Sequence, residues 1–146
     1  MTFENAEIYG HLSTHAAALE SFDAERATEL YGIPATILTD ESTSVAQTRD
    51  ELVTLLARTF DKLQRLGLGS VGSELLEVSP LSERLARVRV RWIYHDKNGT
   101  VITAISYIYV VRRDDNGVLR AYVALPLEEN DKLARSAKRR GISFAD

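Results

Sequence analysis

LARVRVRWIYH (Leu85–His95) is followed, after DKNGT, by VITAISYIYVVRR (Val101–Arg113). In the first run Val88, Val90, Trp92 and Tyr94 alternate with Arg87, Arg89 and Arg91. That period of two sends successive side chains to opposite faces of a strand. The second run is rich in β-branched and aromatic residues, which suit a half-buried pleated surface. Asn98-Gly99 between them predicts a hairpin, because tight hairpin turns need positive φ. Asn116-Gly117 turns the chain again into a last strand over 119–125, ended by Pro126. The second half is therefore a meander of long strands.

Hairpin geometry sorts the side chains by face. A two- or four-residue loop at Asn98-Gly99 places even positions before the turn beside odd positions after it. Trp92 and Tyr94 then lie with Ile105, Tyr107 and Tyr109, and the same rule at Asn116-Gly117 adds Tyr122. The opposite face collects Ile108, Val110, Val123 and Leu125, with Arg89 and Arg91 near one end. Buried phenol hydroxyls need partners, so packing alone would favour Phe and Leu over this many tyrosines. Either the hydroxyls reach water at the rim of the sheet, or they line a cavity for a ligand.

The first half changes to helical period. Residues 14–31 read THAAALESFDAERATELY, with Leu12, Ala16, Leu19, Phe22, Ala27 and Leu30 as an apolar stripe. Gly32 and Pro34 are expected to stop this helix, and Ala35–Thr39 to form a short strand ended by the polar cluster 40–44. Thr48 with Glu51 matches a capping box for a second helix, whose stripe is Leu52, Leu55, Leu56, Thr59, Phe60 and Leu63. Gly67 and Gly69 close it, and Val71–Val78 is a further strand. Glu128–Arg140 predicts a charged terminal helix. The fold class is α+β: one domain over 1–146, with a curved sheet burying one face against two helices.

The chain has 146 residues, with 18 Lys and Arg against 21 Asp and Glu, a formal net charge of −3. This mild acidity argues against a dedicated nucleic-acid binder. The absence of cysteine excludes disulfides, thiolate metal sites and a cysteine nucleophile. No apolar run is long enough to span a bilayer and the first residues carry no leader pattern, so a cytoplasmic protein is expected, although a periplasm would also suit a chain without cysteine. No phosphate loop, dinucleotide fingerprint or nucleophile elbow is present, and no cofactor is expected. His11 and His15 have the i, i+4 spacing of a zinc pair, but no Glu follows His11, so no metal is assigned. Asp23, Glu25 and Arg26 read as surface charges, and Arg112 and Arg113 as solvated residues beside an exposed turn. The basic group Lys132, Arg135, Lys138, Arg139 and Arg140, diluted by Glu128, Glu129 and Asp131, reads as a solvated helix face.

The run HAAALESFD (His15–Asp23) to Leu30-Tyr31, then Pro34-Ala35-Thr36-Ile37, resembles the opening of SnoaL-like proteins of the nuclear-transport-factor-two-like superfamily. Ile105 to Arg113 with Asp115-Asn116-Gly117 and Leu119-Arg120 is similar to their strand-turn-strand ending. The resemblance covers roughly residues 10–125 and rests on element order more than on single residues. It implies a cone, in which a strongly bent mixed or antiparallel sheet wraps the N-terminal helices and leaves a pocket at its open end. It also implies sheet-to-sheet dimers. The superfamily includes steroid isomerases, cyclases, dehydratases, epoxide hydrolases and non-enzymatic modules, so fold alone does not decide function. Against the steroid isomerases, the oxyanion-donor tyrosine falls near His15, the general-base aspartate near Thr39, and the second aspartate near Tyr107. Asp40 is one residue out of phase with the base, so that isomerisation is not expected here.

Three functions follow from these residues. The first is a binder of a small apolar or aromatic molecule, without covalent chemistry, whose pocket uses Phe22, Tyr31, Trp92, Tyr94, Tyr107, Tyr109 and Tyr122. The second is a cofactor-free lyase or isomerase using His15 with Tyr107. The third is an assembly module with a filled cone. In each case a homodimer through Ile108, Val110, Val123 and Leu125 is expected, since large apolar patches mark interfaces.

Overall fold

The alternating runs of the second half pair as neighbours in a computed structural model, which describes residues 2–144. β3 (Leu68–Pro80), β4 (Leu85–Asp96), β5 (Val101–Arg113) and β6 (Leu119–Pro126) form an antiparallel meander. β1 (Tyr31–Leu38) joins parallel to β6, and β2 (Thr43–Ala46) pairs antiparallel with β1, giving the order β2-β1-β6-β5-β4-β3. Register shifts interrupt every long pairing, and such bulges bend strands and increase their twist. Against the concave side lie α1 (Asn5–Glu20), with Ile8, Leu12, Ala18 and Leu19 buried, and α3 (Arg49–Arg65), with Leu52, Leu56, Phe60 and Leu63 buried. α2 (Ala24–Ala27) and a 3-10 turn (Thr28–Leu30) lead into β1, and α4 (Glu129–Arg139) closes the described chain.

The parity expected at the first hairpin is present, for a reason the sequence did not display. The loop spans residues 96–100, an odd length, and the shift between Tyr94 and His95 restores the phase. Trp92 therefore pairs with Ile105, Val90 with Tyr107 and Val88 with Tyr109, on one buried face. At the second hairpin a bulge also restores it, placing Tyr109 opposite Ala124 and Tyr107 opposite Pro126, but only beyond Tyr122. Val111 pairs with Ala121 but Val110 with Val123, leaving Tyr122 as the extra residue of a bulge. Ala121 and Ala124 take the core positions, and Tyr122 leaves the aromatic row.

The N-terminal helix also differs from expectation. Phe22 takes the left-handed conformation (φ 54°), ending α1, and Asp23 caps the next turn by accepting from the Arg26 amide at 3.1 Å. Ala27 and Leu30 thus belong to other elements. Gly32 does not stop a helix; it lies in β1, where a Cβ would sit 2.2 Å from Cζ of Tyr122. The glycine is required by the ring packed on it.

α3 starts as the capping pattern predicts, with Thr48 Oγ1 accepting from the Glu51 amide at 3.1 Å. Glu51 reaches back to the Gln47 amide at 3.3 Å, one residue earlier than in the standard box. Gly67, at φ 83°, ends the helix.

α4 solves a backbone problem. β6 ends at Pro126 opposite Tyr107, so residues 102–106 of β5 lack a strand on that side. Leu127 donates its amide to the Ser106 carbonyl, Lys132 donates to Ala104, and Ser136 and Arg139 donate to Ile102. Exposed edge groups are thereby satisfied. Three members of the basic group read as solvated, Lys132, Arg139 and Arg140, have specific partners, the last being Asp96 at 3.0 Å.

Arg113 is a correction. It is buried and grips both Glu7 oxygens, at 2.9 and 2.8 Å, together with the Thr2 and Gly117 carbonyls. This bidentate pair ties the start of α1 to the end of β5. Arg112 is exposed beside Asp114, as expected of a residue near the turn.

Candidate functional site

A cavity of about 180 Å³ opens between the sheet and the helices. β4 supplies Trp92 and Tyr94, β5 supplies Tyr107, and β1 supplies Tyr31 and Ile37. α1 contributes His15 and Leu19, and α3 contributes Leu55, Leu56 and Thr59. At the mouth stand Ser42, Arg58 and Asn130, all exposed, with Lys62 half-buried nearby.

The aromatic wall is rigid. Trp92 donates its indole N–H to the Tyr109 hydroxyl at 3.0 Å, both residues being buried. The His15 ring lies 5.5 Å from Trp92 and 6.1 Å from Tyr31, the latter edge-on. Tyr109 stacks tilted on Tyr107 at 5.5 Å. Burial pushes the Tyr31, Tyr94, Tyr107 and Tyr109 hydroxyls up, and the Glu129 charge adds to this, so all four are protonated donors at neutral pH.

His15 is 6% exposed, and its Nδ1 has no hydrogen-bond partner. Burial lowers its pKa to about 4, opposed by a hydrogen bond to the Ala27 backbone. The imidazole is therefore neutral at pH 7, with its Nδ1 occluded and unsatisfied. Glu129 is 8% exposed at the start of α4. Tyr107 donates to its Oε2 through a short bond and Thr59 to its Oε1 at 3.4 Å. Burial raises the Glu129 pKa, while Tyr107, Thr59 and the Lys62 charge hold it down.

Of the residues expected at a pocket, the structure places His15, Tyr31, Trp92, Tyr94 and Tyr107 around one cavity. It leaves three out. Phe22 packs on the core from the turn after α1. Tyr109 lies behind the wall, holding Trp92 in place. Tyr122, displaced by the bulge, donates instead to Asp114 at 2.7 Å. Thr39 lines the cavity, whereas Asp40 is exposed and does not. His11 and His15 share α1, and no group of three or more metal-ligating side chains exists among the described residues.

Sequence reasoning missed Glu129. It was grouped with the charges of a solvated helix, yet Glu129, Leu133, Ser136 and Ala137 are the buried positions of α4. The signal was present in the spacing: a glutamate four residues before Leu133 and eight before Ala137 shares their stripe.

The family model of NTF2-like proteins, DUF6841, matches residues 6–129. The chain belongs to this family. Solved structures agree on the fold of this NTF2-like domain. A cystatin-like domain from Nostoc punctiforme superposes with TM-score 0.68 at 17% identity, over 97% of this chain and 90% of that one. An NTF-2-like protein from Shewanella oneidensis gives 0.66 at 14% identity, over 84% and 97%. A ketosteroid isomerase-like protein from Erwinia carotovora atroseptica gives 0.62 at 19% identity, over 87% and 97%. No curated protein matches this NTF2-like chain in sequence.

Proposed function

We propose that this NTF2-like domain binds one ring-sized small molecule in its cone, without covalent chemistry. The observation that carries the reading is the cavity of about 180 Å³ walled by Trp92, Tyr94 and Tyr107. An apolar cavity of about 150 Å³ suffices for benzene, so this one suits a single substituted ring. An open cone of this kind also argues against the assembly module with a filled interior.

The test uses Trp92, the chain's only tryptophan, as the reporter. Titration with p-cresol should change its fluorescence saturably, and Ser44→Phe, which places a ring at the half-buried cavity wall, should abolish that change. Equal, unsaturable responses in both proteins would refute the reading.

A second reading, a lyase or isomerase, is favoured by Glu129. A buried carboxyl with a raised pKa, hydrogen-bonded by a cavity tyrosine, is placed to carry a proton. In this reading Glu129 takes the role that the sequence assigned to His15, because an imidazole with a pKa of about 4 is a weak base.

The proposed assembly is a homodimer through the convex sheet face. Ile108 pairs with Leu125 and Val110 with Val123, so the four half-buried side chains are contiguous, with Arg89 and Arg91 alongside.

A further inference from the structure

We infer that the ring bound in the cone carries an anionic group, a carboxylate, which docks on Arg58 and Lys62 at the mouth; this rests on the binding reading above. The two cations stand one turn apart on α3, and spacing of i, i+4 puts them on the same helix face. Thr59 and Leu55, on that face, also line the cavity.

The charges around the cavity are unevenly satisfied. Arg58 forms no ion pair or hydrogen bond among the described residues, although it borders the cavity. The neighbouring carboxylate on α3, Asp61, is engaged by Arg65 at 3.2 Å. The Lys62 ammonium lies over the Phe144 ring at 5.7 Å, a cation–π contact that leaves its N–H groups without a hydrogen-bonded acceptor among the described residues. The one acid lining the cavity, Glu129, is already served by Tyr107, Thr59 and the Lys62 charge. Its demand for a cationic ligand is met from within the protein. The sheet wall contributes no charge, and His15 is neutral. The lining thus offers one uncommitted cation, Arg58, beside Lys62, whose charge is shared with Glu129, and the Asn130 amide adds a neutral donor at the same rim. An arginine presents a fork matched to a carboxylate.

Depth sets the rest of the ligand. The aromatic wall and Leu55–Leu56 accept the ring. The chemical class is a single-ring aromatic acid whose carboxylate points to solvent.

Three probes of similar size read by Trp92 fluorescence decide the matter: phenylacetate, its neutral amide phenylacetamide, and the cation benzyltrimethylammonium. Phenylacetate should bind about tenfold more tightly than the amide, the worth of one charge-assisted hydrogen bond. Arg58→Gln should remove most of that preference by weakening phenylacetate far more than the amide, and circular dichroism will confirm that this exposed substitution leaves the fold intact. Added salt should weaken phenylacetate binding and not the amide's. Equal affinities for acid and amide, or tightest binding of the ammonium, would overturn the anionic assignment while leaving the cone as a binding site. No saturable response to any probe would overturn both.

Discussion

His15 and Glu129 make opposite demands on pH. The His15 pKa is depressed from 6.5 to about 4 by burial, so between those values the unfolded chain binds more protons than the folded one. Stability from this group is complete above about pH 6.5 and is lost as pH falls through 4, by about 3 kcal/mol at 1.36 kcal/mol per unit. Urea midpoints at pH 7 and pH 4 should show this loss in the wild type and much less of it in His15→Gln; identical losses would mean that water reaches the imidazole. Glu129 acts in the reverse sense. Its folded pKa lies above the ordinary 4.5, so the native state holds the proton longer and stability falls as pH rises through that window. Glu129→Gln mimics the protonated acid. It should stabilise the protein at pH 8 more than at pH 4, and an equal effect at both would contradict the buried carboxyl.

Among the elements, the cap of α3 and the crossing of β1 by Tyr122 are the sharpest tests. Thr48→Ala removes the acceptor for the Glu51 amide and should cost about 1 kcal/mol in chemical denaturation. Gly32→Ala drives a methyl into the Tyr122 ring and should cost about 1–3 kcal/mol, as overpacking does. Adding Tyr122→Ala should relieve part of that cost; two simply additive losses would place the strain elsewhere. These elements also mark how far the sequence could be read. β4, β5 and α3 were legible because period, turn residues and cap agree. The break at Phe22 was not, because a phenylalanine in the left-handed conformation has no local signature. Nor was the bulge at Tyr122, since a one-residue slip leaves composition unchanged while moving a side chain to the other face. The candidate site was half legible for the same reason: the β4–β5 parity gathered Trp92, Tyr94 and Tyr107, whereas Glu129 looked like one charge among many until α4 was seen to spend its stripe on β5.

At the scale of the molecule, the concave face holds the cavity and the convex face holds the contiguous row Ile108, Leu125, Val110 and Val123. If that row joins two copies, light scattering at micromolar concentration should return twice the chain mass. Val110→Glu should then yield monomer or aggregate, because it buries an unpaired charge. A wild-type mass of one chain would sink the dimer, and an unchanged dimer in Val110→Glu would sink this choice of face.

Binding of a single ring in the cone is decided by the electron density of the cone in crystals grown with saturating p-cresol. A bound ring is expected beside Trp92 and between Tyr94 and the α3 leucines. A cone occupied by ordered water alone under those conditions, with Trp92 and Tyr107 unmoved, would contradict it.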